Sequence, residues 1–310
     1  MTVRAIVCSP ASPDRIAFRD LPEPQAAIDE IVVSVRAVSL NRGEFRRLQW
    51  EVDGWRPGYD VAGVVVRPAA DGSGPPEGTR VIGLLPNGAW AQRVAVPSRV
   101  VASIPEGMPF EAASTVPVAG LTSLAALAHG GPLLGRRVLI TGAAGGVGRF
   151  AIQLAWQMGA TVTALVGGPD RAAGLAEIGA AEVVLALDAV GPEFDLVIES
   201  VGGPVLAAAL ARLAIGGTLV TIGGSSDTLT TFDGLAFARK GPITMHGMSL
   251  FRELERQGMG SRELSNLLAM VAAGRLDPQI HRVASWHQMG SLLQALGNRE
   301  INGKAVALID

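Results

Sequence analysis

The sequence predicts an α/β protein in which a doubly wound parallel sheet accompanies a β-rich portion. Three observations carry that expectation. Short valine-rich runs crowd the first third of the chain. From about Ser114 onward, short apolar strands alternate with longer helical segments, the rhythm of βαβ units. A glycine-rich turn at 142–148 stands between one such strand and one such helix. At 310 residues the chain exceeds the usual size of a single core, so two domains are expected.

In order, "EIVVSVRAVSL" (30–40), "VAGVVVRP" (61–68), "TRVIGLL" (79–85) and "AQRVAVP" (91–97) read as strands, and glycine, proline and aspartate punctuate them, as in "AADGSGPPEG". "TVPVAGLTSLAALAHG" (115–130) reads as a helix that stops at His-Gly-Gly-Pro. "RRVLITG" is a strand, "GVGRFAIQLAWQMG" a helix, "ATVTALVG" a strand and "RAAGLAEIG" (171–179) a helix. "AEVVLAL" and "FDLVIESVG" are strands, "PVLAAALARLAIGG" (204–217) a helix and "TLVTIGG" a strand. The tail offers a strand in "PITMHGMSL" (242–250), helices in "SRELSNLLAMVAAG" and "SWHQMGSLLQALG", and a closing strand in "GKAVALI".

Composition removes several function classes. Lys and Arg number 26 against 28 Asp and Glu, a net charge of −2 with no basic tract, so nucleic-acid binding has no electrostatic support. No apolar run is long enough to span a bilayer, and the first residues make a poor signal peptide, so a soluble cytoplasmic protein is expected. A single cysteine, Cys8, excludes an internal disulfide and a cysteine-rich zinc site.

The strongest motif is "RRVLITGAAGGVGRFAIQLAWQMGA", a strand, a glycine turn and a helix in sequence. Against the pattern G-x-G-x-x-G, Ala143 takes the first position and Gly145 and Gly148 the others; Gly142 and Gly146 add two more glycines. Such a turn brings backbone close to a pyrophosphate, and the helix start supplies free N–H groups. Gly142, Ala143, Gly145, Gly146, Val147 and Gly148 are therefore the expected dinucleotide cradle. The next strand should end in Asp or Glu if NAD is preferred. It ends instead in Val166, Gly167 and Gly168, with Asp170 and Arg171 following. That pattern suits a 2′-phosphate on Arg171, hence NADPH. The competing readings are a solvated Arg171 and an Asp170 that reaches the ribose.

Taken together, "SLNRGEFR", "PGYDVAGVVV", "EGTRVIGL", "GAWAQRVAVP", "VPVAGLTS", "GAAGGVG", "DLVIESVGG", "GGTLVTIGG" and "INGKAVALI" resemble, in the same order, the medium-chain dehydrogenase/reductase superfamily in its zinc-free quinone oxidoreductase (zeta-crystallin-like) branch. The resemblance implies a GroES-like catalytic domain at 1–113 and 250–310, interrupted by a Rossmann domain at 114–249. It further implies an active site in the cleft between them and a homodimer. Zinc members of the superfamily place a cysteine ligand in the loop matching Ser39–Glu44 and Gly-His-Glu where this chain has Gly58-Tyr59-Asp60. Here Ser39 and Asn41 stand at the first place and Tyr59, the only tyrosine, replaces the histidine. His129, His246, His281 and His287 are scattered in sequence, so no zinc site is expected.

Without a Lewis acid, hydride transfer suits an acceptor that is already electrophilic, a quinone or an enone. By motif match, Asn41 would line the nicotinamide and substrate pocket and donate to a carbonyl oxygen; otherwise it caps its loop. Thr122 would lie near the nicotinamide, or back-bond within its own helix. Gly223 would border the nicotinamide, and Tyr59 is a pocket residue or a proton donor. The tyrosine that many relatives carry after the asparagine element is missing; Phe45, Arg46, Arg47 and Leu48 stand there. Arg46 and Arg47 either orient a substrate or form a solvated basic face, and Trp50 and Trp55 either wall a flat substrate or pack their loop. Ser123 and Leu124 stand where relatives carry an alanine and an aromatic. Two rival functions follow. One is an enoyl-thioester reductase with Arg46, Arg47 and Arg56 as a basic entrance; the other is an NADPH-binding protein without turnover.

Overall fold

The computed structural model describes residues 2–187 and 191–310. The chain divides into two compact units, 1–121 with 258–310 and 122–257. The crossings follow Leu121 and Gln257, where the sequence placed them after residues 113 and 249. The first falls inside a helix, so no loop marks it.

The first unit opens with an antiparallel pair, β1 (Thr2–Cys8) and β2 (Ile16–Pro22). Then follow β3 (Glu30–Ser39), the short helix α1 (Arg42–Arg47), β4 (Asp60–Arg67), β5 (Arg80–Leu84), β6 (Arg93–Pro97) and β7 (Val101–Ser103). Helices α2 (Phe110–Ser114) and α3 (Val116–Ala128) lead to the crossing.

The second unit alternates strand and helix. It runs β8 (Arg137–Thr141), α4 (Gly146–Gln157), β9 (Thr161–Leu165), β10 (Ala180–Val184), β11 (Phe194–Glu199), α5 (Gly203–Ala211), β12 (Leu213–Thr221), α6 (Gly234–Lys240), β13 (Thr244–Gly247) and α7 (Leu250–Gln257). The chain then returns to the first unit with α8 (Ser261–Ala272), β14 (Ile280–Ser285), α9 (Met289–Gly297) and β15 (Lys304–Leu308).

In the first unit a sheet of order β14-β15-β3-β4-β5-β7, with β6 also on β3, is antiparallel except where β14 meets β15. Alternate residues of β3 and β4 enter a core that closes around the fully buried Trp90 and Trp286. Six parallel strands in the order β10-β9-β8-β11-β12-β13 make the second unit's sheet. Counted from β8 this is 3-2-1-4-5-6, the doubly wound Rossmann order, whose switch point lies between β8 and β11. The predicted fold class is therefore present: a Rossmann sheet and a separate β-rich, mainly antiparallel one. Among the described residues no helix is long and apolar enough to cross a membrane.

Two expected helices differ. Residues 171–179 form no α-helix; a 3₁₀ turn at Pro169–Arg171 gives way to turns. Gly174 there holds φ +76°, and a Cβ at that position would lie 3.3 Å from the Arg149 guanidinium. The helix expected at 204–217 ends at Ala211, because Leu213 already pairs with Phe194 of β11 and becomes strand. Burial against a neighbouring strand outweighs the helical propensity of "LARLA".

Candidate active site

In the first unit, Ser39 ends β3, Asn41 precedes α1, and Asp60 begins β4; because β3 and β4 pair, the three converge. Asp60 is fully buried. Its Oδ2 accepts from the Ser39 hydroxyl, from Asn41 Nδ2 at 2.8 Å and from Lys304 Nζ at 3.4 Å. Its Oδ1 accepts from the Val118 N–H at 2.8 Å. Lys304, the first residue of β15 and only 2% exposed, also donates to Asn41 Oδ1 at 2.7 Å and to the Leu40 carbonyl at 3.1 Å. Asp60 is thus the hub of a buried polar network. Removing one member of a buried ion pair costs about 3–5 kcal/mol, since its partner is left desolvated and alone.

Asn41 is the N-cap of α1. Both its amide ends are engaged, Nδ2 by Asp60 and Oδ1 by Lys304. Glu44 performs the reverse half of the cap: its Oε2 accepts the Asn41 N–H at 2.6 Å, and its Oε1 accepts the Tyr59 N–H at 2.7 Å. Burial, and then the nearby Asp60 charge, push the Glu44 carboxyl up to about 8. Tyr59 packs its ring on Gly43, and burial followed by Glu44 raises its phenol to about 12.

Arg47 hydrogen-bonds that phenol, pairs with Glu51 at 2.6 Å and lies 4.5 Å over the Trp55 ring. Its guanidinium is thus held by three neighbours while the side chain stays 38% exposed. Trp55 packs, whereas Trp50 is 64% exposed. Arg56 is desolvated, which lowers its pKa, and its Nη2 donates to the Gly88 carbonyl at 3.4 Å.

In the second unit the glycine loop joins β8 to α4 at the switch point. Gly142 turns the chain at φ +60°. Gly148 lies so close to Ala143 that a Cβ would come within 2.7 Å of its backbone, so a side chain there would fill the cradle. Gly145 precedes the first helical residue, Gly146, and Val147 follows with its carbonyl held by the Ser123 hydroxyl at 3.0 Å. Ser123 therefore secures the loop through α3, and its buried neighbour Thr122 starts the unit. Gly223 follows β12 and lies against the Ser200 backbone. Beyond β9, Gly167 is exposed and Gly168 lies beside the Asp170 carboxylate, with Arg171 ending the 3₁₀ turn. No acid occupies the strand end itself.

Two residues escaped the sequence reading. Glu199, fully buried at the end of β11, accepts from Thr141 Oγ1 at 3.1 Å and from the Val201 and Gly202 N–H groups at 2.7 and 2.9 Å. It fixes the turn opposite the glycine loop, and only the pairing of β8 with β11 reveals that. Lys304 was signalled faintly, as the one charge in an otherwise apolar strand.

Donor chemistry tests whether a zinc ion suits the Ser39–Asp60 place. Asp60 carries four donors and Glu44 two backbone N–H groups, so neither presents a spare ligand set. These residues do not fit the metal. The only His, Cys, Asp and Glu group with metal-like spacing among the described residues is His129, His246 and Glu253, all in the second unit. His129 and His246 are thus not scattered in space. His129 follows α3 and His246 lies in β13, and Glu253 of α7 reaches both.

Comparison with known proteins adds the following. A family described as zinc-binding dehydrogenase matches residues 146–272. A mycocerosic acid synthase-like polyketide synthase of Mycobacterium tuberculosis is 36% identical over 214 residues, 63% of this chain and 10% of that protein. The 2-methylene-furan-3-one reductase of Solanum lycopersicum is 30% identical over 225 residues, 65% of this chain and 57% of that one. The chain therefore spans a small part of the synthase and little more than half of the tomato reductase. The quinone oxidoreductase of Coxiella burnetii superposes at TM-score 0.84 with 25% identity, covering 100% of both chains. A mycobacterial protein complexed with NADPH does so at 0.87 with 25% identity, covering 99% of this chain and 100% of that one.

Proposed function

Because the chain belongs to the medium-chain dehydrogenase/reductase superfamily, in its quinone oxidoreductase branch, we propose that it is an NADPH-dependent, zinc-independent reductase of quinones or α,β-unsaturated ketones. One observation carries the substrate class. At the Ser39–Asp60 place every carboxylate oxygen is hydrogen-bonded within the network, and among the described residues no His, Cys, Asp and Glu group with metal-like spacing includes them. An acceptor that needs no metal to become electrophilic then suits the site. The tomato relative, a reductase of a methylene-furanone, and the Coxiella quinone oxidoreductase support that class.

NADPH, when bound, supplies the hydride. The chain's own residues bind and orient. The loop Gly142–Gly148 offers backbone and a helix start to the pyrophosphate. The end of β9, which lacks a carboxylate, and Arg171 suit a 2′-phosphate. Asn41, held by Asp60 and Lys304, has a second amide N–H for a carbonyl oxygen. Thr122 and Gly223 would flank the nicotinamide. Tyr59, with its phenol near 12, can orient a substrate but is a weak acid at neutral pH, so the proton comes from solvent.

The second reading, an enoyl-thioester reductase, draws on the polyketide synthase relative. The engagement of Arg47 and the desolvation of Arg56 weaken the basic entrance it calls for. A panel of quinones, enones and enoyl-CoA esters, assayed with NADPH and with NADH after chelator treatment, separates these. The expected result is NADPH oxidation with quinones or enones, about tenfold or more above NADH in kcat/KM and unchanged by the chelator. Preferential turnover of enoyl-CoA would favour the second reading. Absence of turnover with every acceptor would leave a binding protein.

A further inference from the structure

His129, His246 and Glu253 take no part in the proposed reaction, yet their ligand-capable atoms all lie within 4.8 Å of one another. His129 Nε2 is 2.8 Å from Glu253 Oε1, and His246 Nε2 is 3.5 Å from Oε2. Each carboxylate oxygen thus faces a different imidazole. Tetrahedral zinc at about 2.0–2.1 Å from its ligands separates those ligand atoms by about 3.3 Å, and the two measured separations bracket that value. The imidazole rings are 4.0 Å apart between centroids and tilted by 33°, so both present an edge to the same carboxylate. His246 Nε2 is buried and makes no hydrogen bond, the state of a nitrogen ready to coordinate. The Glu253 side chain is 5% exposed, while the histidines are only half-buried, which leaves an ion a route from solvent.

Two neighbouring donors oppose a metal. Arg256 also bonds Glu253, chiefly through Oε1, and Gln257 Nε2 donates to that same oxygen at 2.5 Å. That guanidinium is 58% exposed on a long side chain, so it can turn to water when a divalent ion arrives.

We propose that His129, His246 and Glu253 bind one divalent ion of the zinc class. Two imidazoles and a carboxylate are a donor set zinc accepts, with a fourth position left for water. The ion would clamp the end of α3, β13 and α7 within the second unit. Its role is structural, so its failure and that of the proposed reductase activity are read in different experiments.

The test is calorimetric titration of the chelator-treated, dialysed protein with Zn²⁺, joined by the visible spectrum with Co²⁺ and by thermal unfolding. Expected are one site with a dissociation constant of about micromolar or below, a four-coordinate Co²⁺ absorption and a raised Tm. His129→Asn, His246→Asn and Glu253→Gln should each weaken binding by about tenfold or more and remove the Co²⁺ band. A His281→Asn/His287→Asn double variant should leave both unchanged. Arg256→Ala, which removes a competing cation, should bind severalfold more tightly; weaker binding there would count against Glu253 as a ligand. Should Glu253→Gln misfold, His246→Asn carries the test, because β13 lies at a sheet edge. Unchanged Zn²⁺ binding in the histidine variants, or no binding below millimolar Zn²⁺, overturns the proposal.

Discussion

Glu44 shows how burial changes what a side chain does. As a solvated carboxyl it would ionise near 4.5, but in the folded protein it titrates near 8, mainly because it is desolvated and secondarily because Asp60 is close. Between those two values the folded state holds a proton that the unfolded state has released. Its contribution to stability is complete below about pH 4.5, declines as pH rises and is exhausted above about pH 8. Glu44→Gln should remove that decline. Urea unfolding at several pH values between 5 and 8 measures it; on linkage grounds the difference in slope amounts to a few kcal/mol over the range. Identical pH profiles for the variant and the parent protein would refute the assignment. At this scale the family resemblance singled out Asn41 and Tyr59, yet the sequence gave no hint that Asn41 is clasped by Lys304, which lies 263 residues away.

The decisive element is the turn from β8 into α4. Gly148 permits the helix to approach Ala143 so closely that even a methyl group collides with backbone. Gly148→Ala should therefore weaken NADPH binding by about tenfold or more and cost roughly 1–3 kcal/mol, the range for overpacking a rigid contact. Fluorescence titration with NADPH, alongside thermal unfolding, reads both. An unchanged dissociation constant would mean that the cradle does not depend on this approach. The turn was legible because strand, glycines and helix are contiguous, and their spacing encodes a local geometry. The absent helix at 171–179 was not legible, because Arg149, whose Nη2 donates to the Ala173 carbonyl at 2.7 Å, comes from another element.

At the scale of the whole molecule, two apolar clusters stand out among the described residues. One surrounds Trp90 and Trp286; the other gathers Leu139, Val197, Leu210 and Leu219 under the parallel sheet. Units with separate cores tend to unfold as separate cooperative steps. If the dinucleotide binds through the second unit alone, NADPH at about 100 times its dissociation constant should stabilise that unit by about 2.7 kcal/mol. Calorimetry should then show one transition move up with NADPH while the other stays; equal movement of both would argue against separate steps.

By itself the sequence determined the class of fold, the βαβ rhythm and the glycine cradle. Each of these is written in periodicity or in neighbouring residues, where short-range sterics decide the outcome. Tertiary structure alone decided the rest. It made Asp60 the hub of a buried network and set Glu199 opposite the glycine loop. It also turned two histidines far apart in sequence into one cluster around Glu253. Those arrangements depend on strand order and on what is excluded from water, and neither is a property of any local stretch of chain.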